Sequence, residues 1–273
     1  YTMDILDTII EYKRKEVEEM KQSVPQSFLL DQIEKGNLSI CPSMKASLMK
    51  TGYGIIAEFK RKSPSKGWIN ESAKPEVIPV SYQQNGASAL SILTDNKFFG
   101  GSDRFIRKAR TSGVTLPVLY KNFIVDEYQV YEARVCGASA ILLIAACLTK
   151  EECRQLITLA HQLGMEVLLE IHSIAELDYI DLLPDMCGVN NRNLGTFHTD
   201  VENSFRLADK LPVGICKVSE SGISNPHTVA ELISVGYSGF LIGETFMRST
   251  SPGDALKEFI EDVERIKEER TAV

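Results

Sequence analysis

Residues 55–68 read IIAEFKRKSPSKGW, and this stretch decides the fold. It opens on Ile55-Ile56-Ala57, an apolar run of the kind a strand buried on both faces requires. Two charges follow, Glu58 and Lys60. Two positions apart, they share one side of a strand, with Ala57 and Phe59 on the other. An acid and a base at the end of a buried strand are costly unless each finds a partner or a ligand. Arg61, Lys62, Ser63, Pro64, Ser65, Lys66 and Gly67 then make a basic, hydroxyl-bearing, turn-prone loop suited to folding over an anion. One such segment alone reads equally as a strand end with a solvated loop. Its recurrence along the chain is what points to a site.

Working outward, apolar runs rich in β-branched residues alternate with helical stretches eight times from Gly54 onward. The runs are 55–60, 87–94, 117–121, 138–144, 166–171, 186–190, 214–219 and 239–243. Helical patterns fall at 75–85, 103–111, 126–136, 149–163, 174–182, 200–210, 226–235 and 253–269. Strict alternation argues for a parallel sheet. Eight units in this length predict an α/β fold, the (β/α)8 TIM barrel. The rival, an open doubly wound sheet, normally carries a G-x-G-x-x-G turn after its first strand, and residues 58–67 stand there instead. Residues 4–21 predict a helix with Ile5, Ile9, Val17 and Met20 on its apolar stripe, and 27–50 predict helix broken at Gly36, Asn37 and Pro42. The expected organisation is one barrel domain over 1–273, with 1–50 as an N-terminal helical extension.

The chain has 273 residues, 44% hydrophobic and 25% charged, enough for one large core. A formal net charge of −7 sets nucleic-acid binding aside. No apolar run approaches the ~20 residues of a membrane span, and no leader is read ahead of the first helix. The six cysteines form no C-x-x-C pair and read as core residues of a reducing compartment, so the expected location is cytoplasmic. The four histidines are scattered, His172 reads as a loop residue, and neither a metal nor a cofactor is called for. A monomer is expected, with a weak dimer as the alternative.

In such a barrel function gathers where strands run out into the following loops. The first exit supplies Glu58 and Lys60, the third Lys121 and the fifth Glu170. The sixth supplies Asn190 and Arg192, the seventh Glu220. The second exit carries Asp95 and Phe99, and the fourth ends in small Ala145-Ala146, room for a ring. Three carboxylates and two ammonium groups thus meet at one mouth, with no comparable charges expected at the opposite strand ends. Neighbouring carboxylates should keep both lysines protonated, and an acid–base set around an apolar pocket suits proton transfer on a carbon skeleton. The last exits, with Ser221, Gly222 and Gly243, bring bare backbone N–H groups to a ligand, as phosphate sites of barrels do. Glu244 beside them must turn its carboxylate away and offer only its N–H.

These residues together resemble the indole-3-glycerol-phosphate synthase family of tryptophan biosynthesis. The matching stretches include IAEFKRKSPSKG (56–67), ALSILTDNKFFGGS (89–102), VLYKNFIV (118–125), LLEI (168–171), GVNNRNL (188–194), VSESGIS (218–224) and FLIGETFM (240–247). The resemblance implies a lyase that closes 1-(2-carboxyphenylamino)-1-deoxyribulose 5-phosphate to indole-3-glycerol phosphate, losing carbon dioxide and water. It implies Lys121 as general acid, Glu170 as its acid–base partner, and Glu58 and Lys60 as further catalytic groups. Asn190, Arg192 and Glu220 would position the substrate, with Phe99 and Leu142 in the apolar pocket. Phosphate would fall to Lys60, Ser63, Ser221, Gly222, Gly243 and Glu244. Two positions depart from the pattern: Asn122 stands where members usually carry aspartate, and Glu244 where some carry serine. A phosphoribosyl isomerase barrel is disfavoured because the first strand ends in Glu58 and Lys60 with no cysteine, and a non-catalytic barrel because it has no reason to keep buried charges.

Overall fold

Eight parallel strands close on themselves in the computed structural model, which describes residues 5–36, 38 and 41–272. They are β1 Gly54–Phe59, β2 Ala89–Leu93, β3 Val118–Lys121, β4 Ala140–Ile144, β5 Glu166–Ile171, β6 Met186–Asn190, β7 Cys216–Glu220 and β8 Tyr237–Ile242. Ile55 pairs with Phe240 and Ala57 with Ile242, so β8 returns to β1 and the open-sheet rival is excluded. Among the described residues no helix is long and apolar enough to cross a membrane.

Two-sided burial explains the near-continuous apolar runs. In β1 all six residues are buried. Ile55, Ala57 and Phe59 face the helix layer, while Ile56 joins Leu119, Leu142, Leu168, Val218 and Leu241 inside the barrel. The same alternation sends Glu58 inward, one layer above Ile56. The outer layer follows the expected order, with α4 Ile78–Gln84, α5 Arg104–Thr111, α6 Glu127–Cys136, α7 Lys150–Gln162, α8 Glu202–Ala208, α9 Pro226–Ser234, the short α10 Glu244–Met247 and α11 Pro252–Thr271. Helix starts are chemically marked: Asp126 with Gln129, and Thr149 with Glu152, form reciprocal capping boxes on α6 and α7. Residues Ile174–Leu182, read as an ordinary helix from sequence, form a 3-10 helix.

The front section comprises α1 Ile5–Ser23, α2 Gln26–Lys35 and α3 Met44–Thr51. The predicted start at Asp4 and the breaker Asn37 lie outside the described residues. α3 sits under the barrel, where Leu48 packs against Gly54 and Gly239 at the opening ends of β1 and β8. There Glu166 accepts hydrogen bonds from Ser43 and from the Lys45 N–H at 2.9 Å, and Lys217 Nζ donates to the Ala208 carbonyl at 2.8 Å. The expectation of uncharged opening ends is therefore corrected: these two charges serve a helix N-terminus and a backbone carbonyl. α1 lies at the opposite end, over the mouth. Its buried face is Leu6, Ile9, Lys13 and Val17, which keeps Ile9 and Val17 of the predicted stripe, while Ile5 and Met20 pack partly buried beside it. Lys13 is buried because Asp95 and Glu16 each accept from its ammonium at 2.5 Å.

Asp95 in turn accepts the Phe98 and Phe99 N–H groups at 2.8 and 3.1 Å. Lys13→Ala should leave Asp95 as an uncompensated buried charge and lower the unfolding free energy by ~3 kcal/mol, measured by urea titration. Nearby Glu132 of α6 has an interior Oε2 without a partner. Burial, reinforced by Asp103 and Glu16, pushes its pKa up to about 8. The folded state then holds a proton that the unfolded chain releases near pH 4.5, so this group's contribution to stability falls as pH rises from there to about 8. Glu132→Gln should flatten that decline, so the gain in melting temperature over the parent should be larger at pH 8 than at pH 5.

Candidate active site

Glu58 is the hub of the mouth. Its Oε2 accepts from Ser91 Oγ at 2.8 Å and from Lys121 Nζ at 3.0 Å, and Lys60 Nζ stands 3.7 Å from its Oε1. Burial would raise this carboxyl, but Lys121, then Lys60, and the Ser91 bond outweigh it, and its pKa falls below the ordinary value. Lys121 is raised: burial opposes its charge, while Glu58, Glu220 and Glu170 all favour it. Lys60 goes the other way. Burial lowers it, and Lys121 and Arg192 add to that against the pull of Glu58. Lys121 is thus held protonated as expected, while at Lys60, which has two cations for company, the shift is downward.

The second cluster is an acid pair. Glu170 of β5 and Glu220 of β7 are two strands apart, and the β6 residue between them is Gly188, paired with Glu170 on one side and Val218 on the other. A Cβ at Gly188 would fall 2.0 Å from Glu220 Oε1, so the missing side chain is what lets Glu220 reach across to Glu170. Two carboxylates in contact cannot both ionise cheaply. Burial, then Glu170, pushes Glu220 well up. Glu170 is held well below the usual range because His172, Glu220 as a donor and Lys121 outweigh its burial. Glu220 Oε1 lacks a partner while the group is ionised, and a proton shared with Glu170 removes that deficit. Asn190 Nδ2 donates to Glu170 Oε1 at 2.9 Å, and its Oδ1 accepts the Arg192 N–H at 2.9 Å. Arg192 Nε is steered by Thr199 Oγ1 at 3.2 Å.

At the last two exits Ser221 has φ +70°, uncommon for a residue with a side chain, and Gly222 follows at +73°. Asn191 Nδ2 fixes the turn through the Ser221 carbonyl at 3.0 Å. A Cβ on Gly222 would meet Thr199 Cγ2 at 2.5 Å. Glu244 opens α10, and its carboxylate is taken up by Lys66 and by Arg248 Nη2, the latter at 2.6 Å. That disposes of the charge that is awkward beside a phosphate.

A cavity of about 400 Å³ opens over these groups. Glu58, Lys60, Lys121, Glu170, Asn190 and Arg192 line it, as do Phe99, Leu142, Ser221, Gly222, Gly243 and Glu244. Leu6 and Ile9 of α1 complete the apolar side. Glu220, expected among the groups at this mouth, does not line the cavity. Ser63 is buried in the hairpin formed by Lys62–Ser63 and Gly67–Trp68, and does not reach the cavity wall. The small pair after β4 does not make the predicted room: Ala145 turns into a 3-10 turn under the helix layer, and Leu142 and Ile144 face the cavity. Sequence reasoning passed over Ser91, Gly188 and His172. Ser91 had a usable signal, a lone hydroxyl in an apolar run at the inward parity of its strand. Gly188 had none without knowing its neighbours. His172 lies in the loop after β5, as read, and its Nε2 stands 3.3 Å from Glu170 Oε1.

A sequence-family model described as indole-3-glycerol phosphate synthase matches residues 6–259. The indole-3-glycerol phosphate synthase of Bacteroides thetaiotaomicron is 55% identical over 96% of this chain and 99% of its own. That of a Polaromonas species is 43% identical over 93% and 97%. Among solved structures, 3-hexulose-6-phosphate synthase from Salmonella typhimurium superposes with a TM-score of 0.62 at 12% identity, covering 78% of this chain and 99% of its own. Tryptophan synthase subunit alpha from Legionella pneumophila gives 0.60 at 12% over 81% and 98%. Those two share the barrel alone, whereas the sequence matches run nearly end to end, and the chain belongs to the indole-3-glycerol phosphate synthase family.

Proposed function

We propose that this barrel closes 1-(2-carboxyphenylamino)-1-deoxyribulose 5-phosphate to indole-3-glycerol phosphate, releasing carbon dioxide and water. The observation that carries this reading is the ammonium of Lys121. It faces the cavity 3.0 Å from Glu58, beside Glu170. Lys121 gives its proton to the ribulose carbonyl oxygen as the aromatic carbon bonds to that carbonyl carbon. The ring closure leaves positive charge next to the departing carboxylate, and the fixed anions Glu58 and Glu170 stabilise it without reorganising. Phe99 and Leu142 supply a low-polarity wall that favours loss of carbon dioxide. Glu170 then takes the ring proton as the hydroxyl leaves as water, assisted by Lys60 or Lys121. The lowered pKa of Lys60 brings it nearer to working pH, where proton exchange is most efficient.

Asn190 and Arg192 position the substrate from the cavity wall, and Glu220 acts through Glu170. The phosphate sits on Lys60, Ser221 and the backbone N–H groups of Gly222, Gly243 and Glu244. Ser63 joins this set only if the hairpin shifts, since its hydroxyl lies buried and unpartnered. Asn122, the departure beside Lys121, donates from Nδ2 to Thr94 Oγ1 at 2.9 Å and accepts the Phe123 N–H at 2.8 Å. It therefore supports the loop and leaves Lys121 to Glu58.

Purified protein without added metal, given the carboxyphenylamino substrate, should develop indole fluorescence; none above a heat-killed control would overturn the reading. Lys121→Ala should lower kcat by at least ~10³-fold, the loss of a general acid, while inorganic phosphate binding is retained. The hairpin carries Trp68, the sole tryptophan, stacked under Arg61 at 5.4 Å and touching the Gly100 position. Closure of the hairpin over substrate predicts a shift of Trp68 emission on binding a non-reactive analogue, and a constant spectrum would count against closure.

A further inference from the structure

We propose that His172 is a positioning residue for Glu170: its imidazole, wedged between Glu170 and Glu176, keeps Glu170, the member of the Glu170–Glu220 pair that lines the cavity, as the anion that meets the substrate. This rests on the reaction proposed above and adds a residue to it.

The geometry comes first. His172 follows the end of β5, and its side chain is 16% exposed. Nε2 stands 3.3 Å from Glu170 Oε1 and Nδ1 stands 3.9 Å from Glu176 Oε1. Neither ring nitrogen makes a well-aligned hydrogen bond, so the ring is held as a cation between two anions and not by a directional contact. Its backbone is clamped independently. Glu176 Oε2 accepts the N–H groups of His172 and Ser173 at 2.7 and 2.9 Å, and Asn203 Nδ2 donates to the His172 carbonyl at 3.0 Å. The same Asn203 nitrogen bonds the Asn190 carbonyl at 3.0 Å, tying the β5 and β6 exits together. The titratable groups facing the imidazole are Glu170 from β5 and Glu176 from the 3-10 helix, and the Cys147 thiol of the preceding turn lies in the field of the same two glutamates. Burial, then both glutamates, keeps that thiol protonated.

The electrostatic consequence follows. Glu170 and Glu220 share one proton, and Lys121 faces both, so it does not choose strongly between them. His172 touches only Glu170. An imidazolium there favours the ionised form of Glu170 and leaves the proton on Glu220. Burial opposes the imidazolium, but Glu170 and Glu176 raise the His172 pKa to about 9. The cation is therefore present throughout neutral pH and is lost only as pH climbs through that value. Without it, Glu170 takes up a proton at higher pH than before, and the acid limb of the reaction moves up.

The imidazole titration of His172 in the ligand-free protein, followed by NMR and assigned by its disappearance in His172→Gln, should have its midpoint near 9. Glu170→Gln and Glu176→Gln should each lower it. A midpoint at or below the ordinary histidine value overturns the proposal whatever the enzyme turns over. In kinetics, His172→Gln should raise the acid-limb pKa of kcat/KM by about one unit with KM changed less than about threefold. Glu176→Gln keeps an acceptor for the two N–H groups and should give a smaller shift in the same direction, which preserves the test if His172→Gln folds poorly. A uniform loss of activity with an unmoved acid limb would mark His172 as structural and sink the inference, while leaving the proposed reaction intact. Absence of any turnover by the parent protein would sink the reaction instead, with the titration still deciding the electrostatics.

Discussion

A carboxylate buried at the end of a strand must be compensated, and Glu58 is the buried charge around which the mouth is arranged. Its two oxygens draw in Lys121, Ser91 and Lys60 from three consecutive exits. Left alone, such a group would cost several kcal/mol. Compensated, it becomes a fixed negative reference that sets the aim of Lys121. The barrel makes this affordable because its inner face is apolar up to the layer below, Ile56, Leu119 and Val218. The buried charges of the mouth gather in the layer above, where Glu58 meets Lys121 and Glu170 meets Asn190 across the closed ring.

The two clusters divide the labour by environment. Glu58 and Glu170 are ionised for different reasons, the first by lysines, the second chiefly by a histidine. Glu220 keeps a proton because Glu170 is already charged. One mouth thus offers an acid, bases and a neutral carboxyl built from residue types that are equivalent in water. Gly188 is the spacer that permits the arrangement, since even one methyl group at that position would occupy the place of the Glu220 carboxyl.

Much of this was legible in the chain. Strand positions followed from apolar runs, and β5 and β6 match the sequence reading at both ends, because each begins after a turn and is followed by a polar residue, His172 and Asn191. Inward parity placed Glu58, Lys121, Glu170, Asn190 and Glu220 on one side before any coordinates. What stayed hidden depends on contacts between distant segments. Lys13 drew no reading from its own helix, because what buries it is Asp95 from another element. His172 read as a loop residue and no more, because nothing local reveals that the chain turns its ring back onto Glu170. Ser63 was grouped with the anion-binding loop by composition, yet hairpin pairing with Gly67 turns it inward. The direction of the Lys60 shift required knowing how deeply the ammonium is buried and that Lys121 and Arg192 both come near it.

The packing of α3 beneath the strands has a consequence for traffic. Leu48 stops the gap left by Gly54 and Gly239, so the vessel has a floor. Whatever enters must leave by the door it came through, past α1 and the hairpin. A gas molecule, a water and a bulky bicyclic phosphate share that single exit. Every one of them crosses the same rim, where Leu6 and Ile9 of α1 face Pro64 and Lys66 of the hairpin segment.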